Sequence, residues 1–447
     1  MPSPDSSPSD SSRRRLLQYA GYTLTASLAG CFNRRPSETA TETPQPSSTD
    51  RPTNSTTPHA SLDAPLRTAY NSRERFQSSG SSLDGFETLT EWESIVGEHR
   101  ADTDVQFTDS QSLQLVGQPG EKVTVDRTFD TPLNLAENDL SLAFRTEHPE
   151  SVALLVYLYD SADNWGVLEL RDVTYRPPDI GWFRTSPGVF ATSEDEPNLS
   201  VITRVRLTVR NTAERETTSW IDDLRIHEKA DTGYVVLSWD DGFQNFYDHG
   251  APLHDEYDLP AVIAYPPFAE ASPGISFMTE AQLRERQDAG DEIISHASIN
   301  ERFSNVSPDR LEEKLQKNKR WLLDHDFDGT AFIVYPANDF DRAALDTVSK
   351  YHYMGGMNQS GSVNTTGVRG FDPLVLPRTI GHDLDIAKRA VRLAARHRQC
   401  TILNFHHFEK THTMGVEEYE KLLQHITETP NVEAITFTDL WELRTRE

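Results

Sequence analysis

Residues 234–242, Tyr-Val-Val-Leu-Ser-Trp-Asp-Asp-Gly, decide the fold of this chain. The apolar run at their start predicts a buried β-strand, and two adjacent carboxylates, Asp240 and Asp241, follow it directly. Side chains alternate across a strand, so both acids reach one pocket only if the strand ends here, and Gly242 permits the turn that this requires. Such a pair suits a metal ligand beside a proton-transfer group, although a helix N-cap beside a solvated acid is the competing interpretation.

This strand opens a region, residues 231–447, in which candidate strands and helical patterns alternate. The clearest helix runs from Pro308 to Leu323, with Ser307 as its N-cap and a proline at its first position. Strand–helix alternation predicts a parallel sheet, and seven such units predict a (β/α) barrel. The candidate strands are Val235 to Trp239, Ala261 to Tyr265, Glu292 to Ser295, Ala331 to Tyr335, Leu374 to Leu376, Thr401 to Phe405 and Ala434 to Phe437.

Four short motifs fall at the carboxyl ends of these candidate strands, where the active groups of a barrel lie. They are Ser-Trp-Asp-Asp-Gly at 238–242, Asp-Glu-Ile-Ile-Ser-His-Ala-Ser-Ile-Asn at 291–300, Val-Tyr-Pro-Ala at 334–337 and Leu-Asn-Phe-His-His at 403–407. In this order they resemble the polysaccharide deacetylases, a carbohydrate esterase family with a distorted (β/α) barrel. The corresponding motifs of that family are Thr-Phe-Asp-Asp-Gly, His-Ser/Thr-x-x-His, Arg-x-Pro-Tyr or Tyr-Pro-Tyr, and Leu-x-x-His.

The resemblance implies a role for each of four side chains. Asp240 is expected to be the general base that takes a proton from a metal-bound water, and Asp241 and His296 are expected to bind the metal. His406 is expected to be the general acid that protonates the leaving amine. An acetamide is a poor electrophile, so its carbonyl has to be polarised by a divalent cation, which is zinc by family resemblance or another divalent ion.

One position departs from the family pattern. Asn300 stands four residues after His296, where the family has a second histidine. An amide oxygen is neutral and harder than imidazole, and oxygen-rich sites favour magnesium, manganese or calcium over zinc. Three interpretations stay open. Asn300 binds the metal through its oxygen, or another side chain completes the ligands (His382, His407 or Glu301), or metal affinity is lost and the domain only binds sugar.

A second departure precedes Pro336, where Tyr335 replaces the arginine that usually orients the base. Some members of the family also carry tyrosine at this place. Arg378 is the candidate to take over the task of the missing arginine. We therefore predict that Tyr335 and Arg378 lie in the substrate-binding part of the site.

Residues 83–230 carry short apolar and alternating runs separated by turn residues, with no helical period. This pattern predicts an all-β, antiparallel sandwich. The pieces Asp84 to Glu87 and Trp220 to Ile226 resemble the first and last strands of jelly-roll carbohydrate-binding modules. The clearest runs are 112–116, 151–157, 167–170 and 205–209.

Two sets of side chains in this part are candidate ligand contacts. Three tryptophans are candidates to stack on sugar rings, although each has an equally good interpretation as a core or rim residue. They are Trp165, Trp182 and Trp220. Glu87 with Asp222 or Asp223 is a candidate for a structural calcium site, because carboxylate oxygens are preferred calcium ligands.

Residues 1–31 predict an export signal. Three arginines, 13–15, precede a run that is too short and too polar to span a membrane and that resembles a twin-arginine signal. The run ends in Leu-Ala-Gly-Cys, which resembles a lipoprotein box and makes Cys31 the expected lipidation site. A plain secretory signal with a chance cysteine is the alternative. Residues 32–82 are rich in Ser, Thr and Pro and predict a disordered tether, so we expect an exported protein held at the cell surface by a lipid anchor.

The composition excludes some partners. The chain has 43 Lys and Arg residues, only nine of them Lys, against 70 Asp and Glu residues, which gives a net charge of −27. A strongly negative surface keeps a protein soluble at high salt, so we predict a halophilic source, with an ordinary acidic extracellular protein as the alternative. The same charge argues against nucleic acid or an anionic membrane surface as a partner. If Cys31 is lipidated, Cys400 has no cysteine to pair with.

Together these features predict a metal-dependent enzyme that removes N-acetyl groups from the amino sugars of a cell-surface or extracellular polysaccharide. The competing class is a non-catalytic glycan-binding surface protein with a degenerate deacetylase domain, and Asn300 is the residue that separates the two. A third interpretation keeps the enzyme but changes the substrate to another amide or to an O-acetyl ester.

Overall fold

The computed structural model describes residues 65–171, 180–269, 275–297, 301–356, 358–360, 362–408 and 413–446. The predicted signal, the lipidation site Cys31, most of the predicted tether and the candidate ligand Asn300 lie outside the described residues. Within those ranges, no helix combines the length and the apolar character that crossing a membrane requires.

Antiparallel strands make up the first part of the described chain. Their bounds are β1 Ser81–Asp84, β2 Glu93–Val96, β3 His99–Asp102, β4 Ser112–Gly117, β5 Lys122–Leu133, β6 Asn138–Thr146, β7 Val152–Asp160, β8 Trp165–Arg171, β9 Phe183–Thr185, β10 Val189–Thr192, β11 Ile202–Asn211 and β12 Thr217–Glu228. Among the described residues they form two sheets, with the orders β3-β4-β12-β6-β9, where β1 also pairs with β12, and β10-β8-β7-β11-β5-β2.

The alternating sequence pattern explains how these two sheets bury their apolar side chains. In β7 the apolar residues at every second position are buried, and the tyrosines between them lie on the other face. Buried side chains of both sheets, such as Leu113 and Phe144 from one and Val125 and Leu154 from the other, belong to one hydrophobic cluster. The predicted antiparallel β-rich region is therefore present, although its first strand is Ser81–Asp84 and not the predicted segment from Asp84 onward.

Parallel strands and helices alternate in the second part. The strands are β13 Gly233–Trp239, β14 Val262–Tyr265, β15 Glu292–Ser295, β16 Gly329–Ile333, β17 Met354–Gly355, β18 Asn358–Ser360, β19 Pro377–Ile380, β20 Cys400–Phe405 and β21 Val432–Ala434. The helices, after a short α1 at Ser72–Phe76, are α2 Ala251–Tyr257, α3 Glu280–Asp288, α4 Pro308–Asp324, α5 Arg342–Val348, α6 Leu384–His397, α7 Val416–Glu428 and α8 Phe437–Thr445.

The parallel sheet curves back on itself. Its order among the described residues is β17-β16-β15-β14-β13-β20-β19-β18, with β21 also paired to β13. The strands at its two edges, β17 and β18, are separated by only residues 356 and 357 of the chain. Two edges joined by so short a connection have to lie close together, so the sheet fits a (β/α) barrel with an open seam between β17 and β18.

Two of the predicted strands differ from the structure. Leu374 to Leu376 lie just before β19, because the Asp372 carboxylate accepts a hydrogen bond from the Leu374 N–H and holds a turn there. Phe437 begins α8 and does not end a strand, because Thr436 and Asp439 form a capping box at the start of this helix. The predicted helix at Pro308 is present as α4, but the Ser307 side chain does not cap it.

The end of the predicted tether is ordered, contrary to the expectation for residues 32–82. Within it, α1 is capped by the Asn71 side chain. The Arg73 guanidinium pairs with Asp372 at 2.8 Å, and Phe76 packs edge-on against Trp441 with 5.6 Å between the ring centroids. The composition of residues 65–82 did not reveal these contacts because their partners stand some 300 positions later in the chain.

One contact between the antiparallel part and the parallel sheet lies at the start of β20, away from the carboxyl end of that strand. The Gly188 N–H donates to the Thr365 carbonyl at 2.8 Å, and Thr366 pairs with Cys400, the first residue of β20. A Cβ atom at Gly188 would lie 2.0 Å from the Thr365 hydroxyl oxygen, so only glycine fits this contact. His406 follows the other end of β20, about 20 Å away for six extended residues.

Candidate active site

The end of β13 brings the two adjacent carboxylates to the same side. The strand stops at Trp239, and Asp240 is fixed by the hydrogen bond from its N–H to the Phe405 carbonyl at 2.9 Å. Asp241 and Gly242 then adopt left-handed backbone, with φ values of 71° and 61°. This turn removes the strand alternation that would have separated the acids. Aspartate adopts left-handed backbone more readily than most residues, which suits it to this position.

Two features require glycine at position 242: its left-handed backbone, and the lack of room for a side chain. A Cβ atom at this position would lie 2.3 Å from the Cδ2 atom of Tyr265. Tyr265 in turn stacks near Trp321 and donates its hydroxyl to the Met278 carbonyl at 3.0 Å, so it is not free to move aside. The glycine of the motif therefore follows from packing against the neighbouring strand β14.

Asp240 is a buried carboxylate held by a buried arginine. Its side chain is 3% exposed, and Arg378 donates hydrogen bonds to both of its oxygens, at 2.9 and 2.8 Å. Burial by itself raises the pKa of Asp240, but the Arg378 guanidinium, helped by His406 and His296, holds that pKa below the ordinary value of an aspartate. The carboxylate is therefore ionised and able to accept a proton.

Arg378 stands on β19 and is 1% exposed, so it contacts the acid and not the solvent-filled part of the site. Its second terminal nitrogen donates to the Asn338 side-chain oxygen. These contacts agree with the expectation that Arg378 takes over from the missing arginine that orients the base, and its assignment to the substrate-binding part stays a prediction. Asn338 was missed by the sequence reasoning, and only its place three residues after Tyr335 in a Pro-Ala-Asn turn marks it.

Tyr335, the other predicted substrate contact, is a core residue. It has no exposed surface, and its hydroxyl donates to the Leu374 carbonyl at 3.0 Å. Burial raises the pKa of Tyr335, so the phenol stays neutral. The prediction failed because Tyr335 points into the space between Phe303 and Phe340, whose ring centroids lie 5.3 and 5.5 Å from its own.

The second pair of the site joins Asp241 to His296, whose Nε2 atom lies 3.1 Å from the Asp241 Oδ1 atom. The Nδ1 atom of His296 lies 3.0 Å from the Val334 carbonyl, which is only an acceptor, so Nδ1 carries a hydrogen. A neutral ring would then turn the Nε2 lone pair toward a carboxylate. That contact is favourable only when a cation, a proton or a metal ion, lies at Nε2.

These donors fit a divalent cation. A ligating histidine usually donates its other ring nitrogen to a backbone carbonyl, as His296 does to Val334. Asp241 adds a carboxylate oxygen, a donor that suits zinc and harder divalent ions alike. In the protein without such an ion, burial favours the neutral ring, but hydrogen bonding to Asp241 raises the pKa of His296 above the ordinary histidine value.

A third ligand is not supplied by the described residues. No group of three His, Cys, Asp or Glu side chains in the described ranges is arranged to hold a metal ion. Of the predicted alternatives to Asn300, Glu301 is paired with Lys314 and with Arg310. The Nδ1 atom of His407 lies 2.5 Å from the Phe408 carbonyl oxygen. The ring centroid of His382 lies 6.2 Å from that of His406.

His406 lies at the mouth of the same site. It follows the carboxyl end of β20, its side chain is 37% exposed, and its Nε2 atom is 3.6 Å from the Asp240 Oδ2 atom. This distance is too long for a hydrogen bond but leaves both groups facing one space. The structure thus brings together Asp240, Asp241, His296 and His406, the four residues expected to carry the chemistry.

The three tryptophans predicted as candidate sugar contacts in the antiparallel part differ in their exposure. Trp220 is 6% exposed and donates its ring nitrogen to Asp102 at 2.9 Å, so it is not a sugar platform. Trp182 is half-buried beside Phe107, where it lines a cavity of about 220 Å³. Trp165 is half-buried on the outer face of its sheet, where it packs edge-on against Tyr157.

The carboxylates proposed for calcium have other partners. Asp222 accepts hydrogen bonds from the N–H groups of Phe107, Thr108 and Asp223, and burial raises its pKa to about 6. Asp223 pairs with Arg184 and Arg225, and Glu87 accepts from Ser110 and Gln111. These oxygens have hydrogen-bond or ion-pair partners within the protein, and the calcium site stays a prediction.

Comparison with known proteins shows what part of this chain is similar to. Residues 227–356 match the family model of polysaccharide deacetylases. This part of the chain is therefore similar to that family. The protein is a hydrolase that cleaves carbon–nitrogen bonds other than peptide bonds, as the four motifs predicted. The match ends at the strand β17, before Arg378 and His406.

Solved deacetylases and esterases are distantly similar to the second part of this chain. The Xyl-CE4 domain of a multidomain xylanase from the hindgut metagenome of Trinervitermes trinervoides is 14% identical, with 48% of this chain and 93% of that chain covered and a TM-score of 0.35. A family 4 carbohydrate esterase from Streptomyces lividans is 13% identical, with 46% and 94% covered and a TM-score of 0.32. A chitin deacetylase from Colletotrichum lindemuthianum is 11% identical, with 47% and 88% covered and a TM-score of 0.33. No curated protein matches the chain.

Proposed function

We propose that the protein removes N-acetyl groups from the amino sugars of an extracellular polysaccharide in a metal-dependent hydrolysis. The observation that carries this proposal is the ionised Asp240, held by Arg378, beside the Asp241–His296 pair and the accessible His406. A base, an acid and two metal donors face one space, which is the set that amide hydrolysis requires.

In this mechanism each side chain has one task. Asp241 and His296 would hold a divalent cation, which would supply polarisation of the acetamide carbonyl and a lower pKa for water. Asp240 accepts the proton of the attacking water, and Arg378 keeps this carboxylate ionised and in place. His406, in its protonated form, donates a proton to the amine nitrogen as the carbon–nitrogen bond breaks, so that acetate and a free amino sugar leave.

Acetate release tests the proposal. The purified protein is incubated at high salt with N-acetylglucosamine oligomers and with acetylated polymers, with and without a chelator. We expect acetate release that the chelator abolishes and that added zinc, manganese or magnesium restores. Asp240→Asn should abolish release but keep the metal. Asp341→Asn is the matched control, because Asp341 caps α5 and asparagine caps a helix equally well.

The same experiment separates the competing classes. Tight glycan binding without release from any acetylated glycan would favour the non-catalytic surface protein. Release from an O-acetylated sugar or another amide, but not from N-acetylated sugars, would favour the third interpretation. A metal analysis of the purified protein identifies the ion and tests the substitution at Asn300.

We further propose that the two antiparallel sheets form a jelly-roll-like sandwich that binds the polymer. The observation in favour is a group of half-buried aromatic rings on the outer face of the second sheet, formed by Tyr157, Tyr159 and Trp165. Arg204 and Arg206 lie over the Tyr159 ring, at 4.1 and 5.2 Å from its centroid, and Arg206 donates two hydrogen bonds to Asp126. The patch thus places aromatic rings next to polar groups that are paired with one another. Such a surface suits an uncharged polar ligand.

Binding to an insoluble acetylated polysaccharide tests this second role. The experiment uses the Asp240→Asn protein, so that turnover does not change the ligand. Replacing Tyr157 and Trp165 by alanine should weaken retention several-fold, and replacing Trp182, which lies away from this face, should not. Equal retention of the Asp240→Asn protein and of its two further variants would contradict polymer binding by this face of the sandwich.

The place of the protein in the cell also remains a proposal, supported by the signal-like sequence alone. We propose export and lipid attachment at Cys31, with the acidic surface serving a high-salt environment. Cys31→Ala should then shift the protein from the membrane fraction to the soluble exported fraction. Retention of the variant in the membrane fraction would contradict the lipid anchor.

A further inference from the structure

The chain leaves β16 through an unusual turn. Ala337 and Asn338 both have left-handed backbone, with φ values of 57° and 50°, although neither is glycine. Two consecutive residues of this kind are costly for the chain, and such strain persists only where the surroundings enforce it. The turn thus points to a function for one of its side chains.

The Asn338 side chain contacts Arg378, the residue that holds the general base Asp240. It is 6% exposed, and its oxygen accepts a hydrogen bond from one terminal nitrogen of Arg378. The other terminal nitrogen of Arg378 donates to both oxygens of Asp240. Because the guanidinium group is planar and rigid, fixing one terminal nitrogen on Asn338 fixes the direction of the other toward Asp240.

This contact spans the seam of the sheet. Asn338 follows β16, and Arg378 lies on β19, whereas the sheet order places β17 beside β16 and β18 beside β19 at the two open edges. No strand pairing described for this sheet joins β17 to β18. The side-chain contact therefore connects the strands on either side of the seam, at the end of the barrel where the active groups lie.

We propose that Asn338 is a positioning residue for the general base, acting through Arg378. The proposal rests on the deacetylase function proposed above and goes beyond it, because Arg378 alone could rotate away from Asp240 about its long side chain. Asparagine suits the task because its neutral oxygen accepts the hydrogen bond without competing with Asp240 for the charge of the guanidinium group. It also tolerates left-handed backbone better than most residues.

Two substitutions and one control test this proposal. Asn338→Gly removes the amide and keeps the left-handed backbone free of strain, and Asn338→Asp keeps an acceptor oxygen in the same place. Asn211→Ala removes an equally buried asparagine of the antiparallel part, which is 1% exposed and donates to the Gly117 carbonyl. The measurements are kcat and KM for acetate release, the thermal midpoint, and a crystal structure of the Asn338→Gly protein.

We expect Asn338→Gly to lower kcat by about 10- to 100-fold, the range typical for residues that support a ligand or base, with KM within about twofold. Asn338→Asp keeps the acceptor but competes with Asp240 for Arg378, so it should lower kcat less than Asn338→Gly does, and Asn211→Ala should lower the thermal midpoint without lowering kcat. In the crystal structure of Asn338→Gly, Arg378 should no longer donate both hydrogen bonds to Asp240.

Other outcomes overturn the proposal. If Asn338→Gly and Asn211→Ala lower kcat and thermal midpoint alike, the role of Asn338 is only structural. If Arg378 keeps both hydrogen bonds to Asp240 in the Asn338→Gly crystal, Asn338 does not position it. Should the unmodified protein release no acetate from any substrate, the deacetylase function fails, and the crystal structure still decides whether Asn338 positions Arg378.

Discussion

Removing Arg378 should destabilise the protein strongly. The substitution Arg378→Met keeps a long side chain and takes away the charge. It leaves Asp240, which is 3% exposed, as a buried carboxylate without its partner. Breaking a buried ion pair by removing one member usually costs about 3–5 kcal/mol, because the remaining charge has lost its solvation and its partner.

The hydrogen bonds give a similar magnitude. Arg378 donates two bonds to Asp240, at 2.9 and 2.8 Å, and hydrogen bonds to charged groups are worth about 1.5–3 kcal/mol each. With the pair 1% and 3% exposed, solvent screening does not reduce this value. We therefore expect the free energy of unfolding to fall by about 3–5 kcal/mol near pH 7.

The loss in free energy of unfolding caused by Arg378→Met should be larger at neutral pH than at acidic pH. In the unmodified protein the pKa of Asp240 is below its unfolded value, so its contribution is present at neutral pH and is lost as the pH falls through the folded pKa. In Arg378→Met, burial acts without the guanidinium and raises the folded pKa above the unfolded one. The gap in stability between the two proteins should therefore be largest at neutral pH and narrow below about pH 4.

Urea unfolding at high salt, with a chelator present to keep metal binding out of the comparison, measures these energies. The matched control is the double variant Asp240→Asn/Arg378→Met, which removes both charges and should be more stable than Arg378→Met alone. A loss below about 1 kcal/mol in Arg378→Met, the value of an exposed ion pair, would refute the reasoning. So would a double variant no more stable than the single one.

Three further predictions test other parts of the structure. Tyr335→Phe should leave KM unchanged and cost about 0.5–1.5 kcal/mol in urea unfolding, because it removes one buried hydrogen bond; a large rise in KM would restore Tyr335 as a substrate contact. Gly242→Ala should cost about 1–3 kcal/mol, because its Cβ atom would meet Tyr265 at 2.3 Å; an unchanged thermal midpoint would contradict this. Burial raises the pKa of Glu292 to about 7, above its unfolded value, so its contribution to stability is complete below about pH 4 and is lost as the pH rises to 7. Glu292→Gln should flatten this decline between pH 5 and 7.5 in urea unfolding, and an equally steep decline would point to another group.

Local signals in the sequence were sufficient for the strands and for the motif residues. The apolar runs of β13 and β20 each end directly before a catalytic candidate, because parallel strands of a barrel present their carboxyl ends to one pocket. The start of α4 was equally clear, since proline is favoured at the first position of a helix. These features depend only on neighbours in the chain.

The rest depends on contacts between distant residues, which no local pattern contains. Arg378 and Asp240 are 138 positions apart, and Asn338 and Arg378 are 40 positions apart. Tyr335 was misassigned for the same reason, since its burial depends on Phe303 and Phe340, which surround it only in the folded chain. The ordered end of the tether likewise depends on Asp372, some 300 residues beyond Arg73.

The site has two halves, one around the general base and one around the metal donors. In the base half, Asp240 has its partner in Arg378, and one terminal nitrogen of Arg378 has Asn338, while the buried Nε of Arg378 has no hydrogen-bond partner among the described residues. The metal half departs from the family at Asn300, and Asp241 and His296 are the donors shown for it. The chain keeps other buried ion pairs, such as Arg184–Asp223 and Arg286–Asp291, so burial of the Asp240–Arg378 pair does not by itself mark catalysis. What marks it is the place of Asp240 beside His406 and the Asp241–His296 pair. This arrangement therefore favours the enzyme over the non-catalytic surface protein, and it moves the remaining question to which cation a site with asparagine in place of histidine selects.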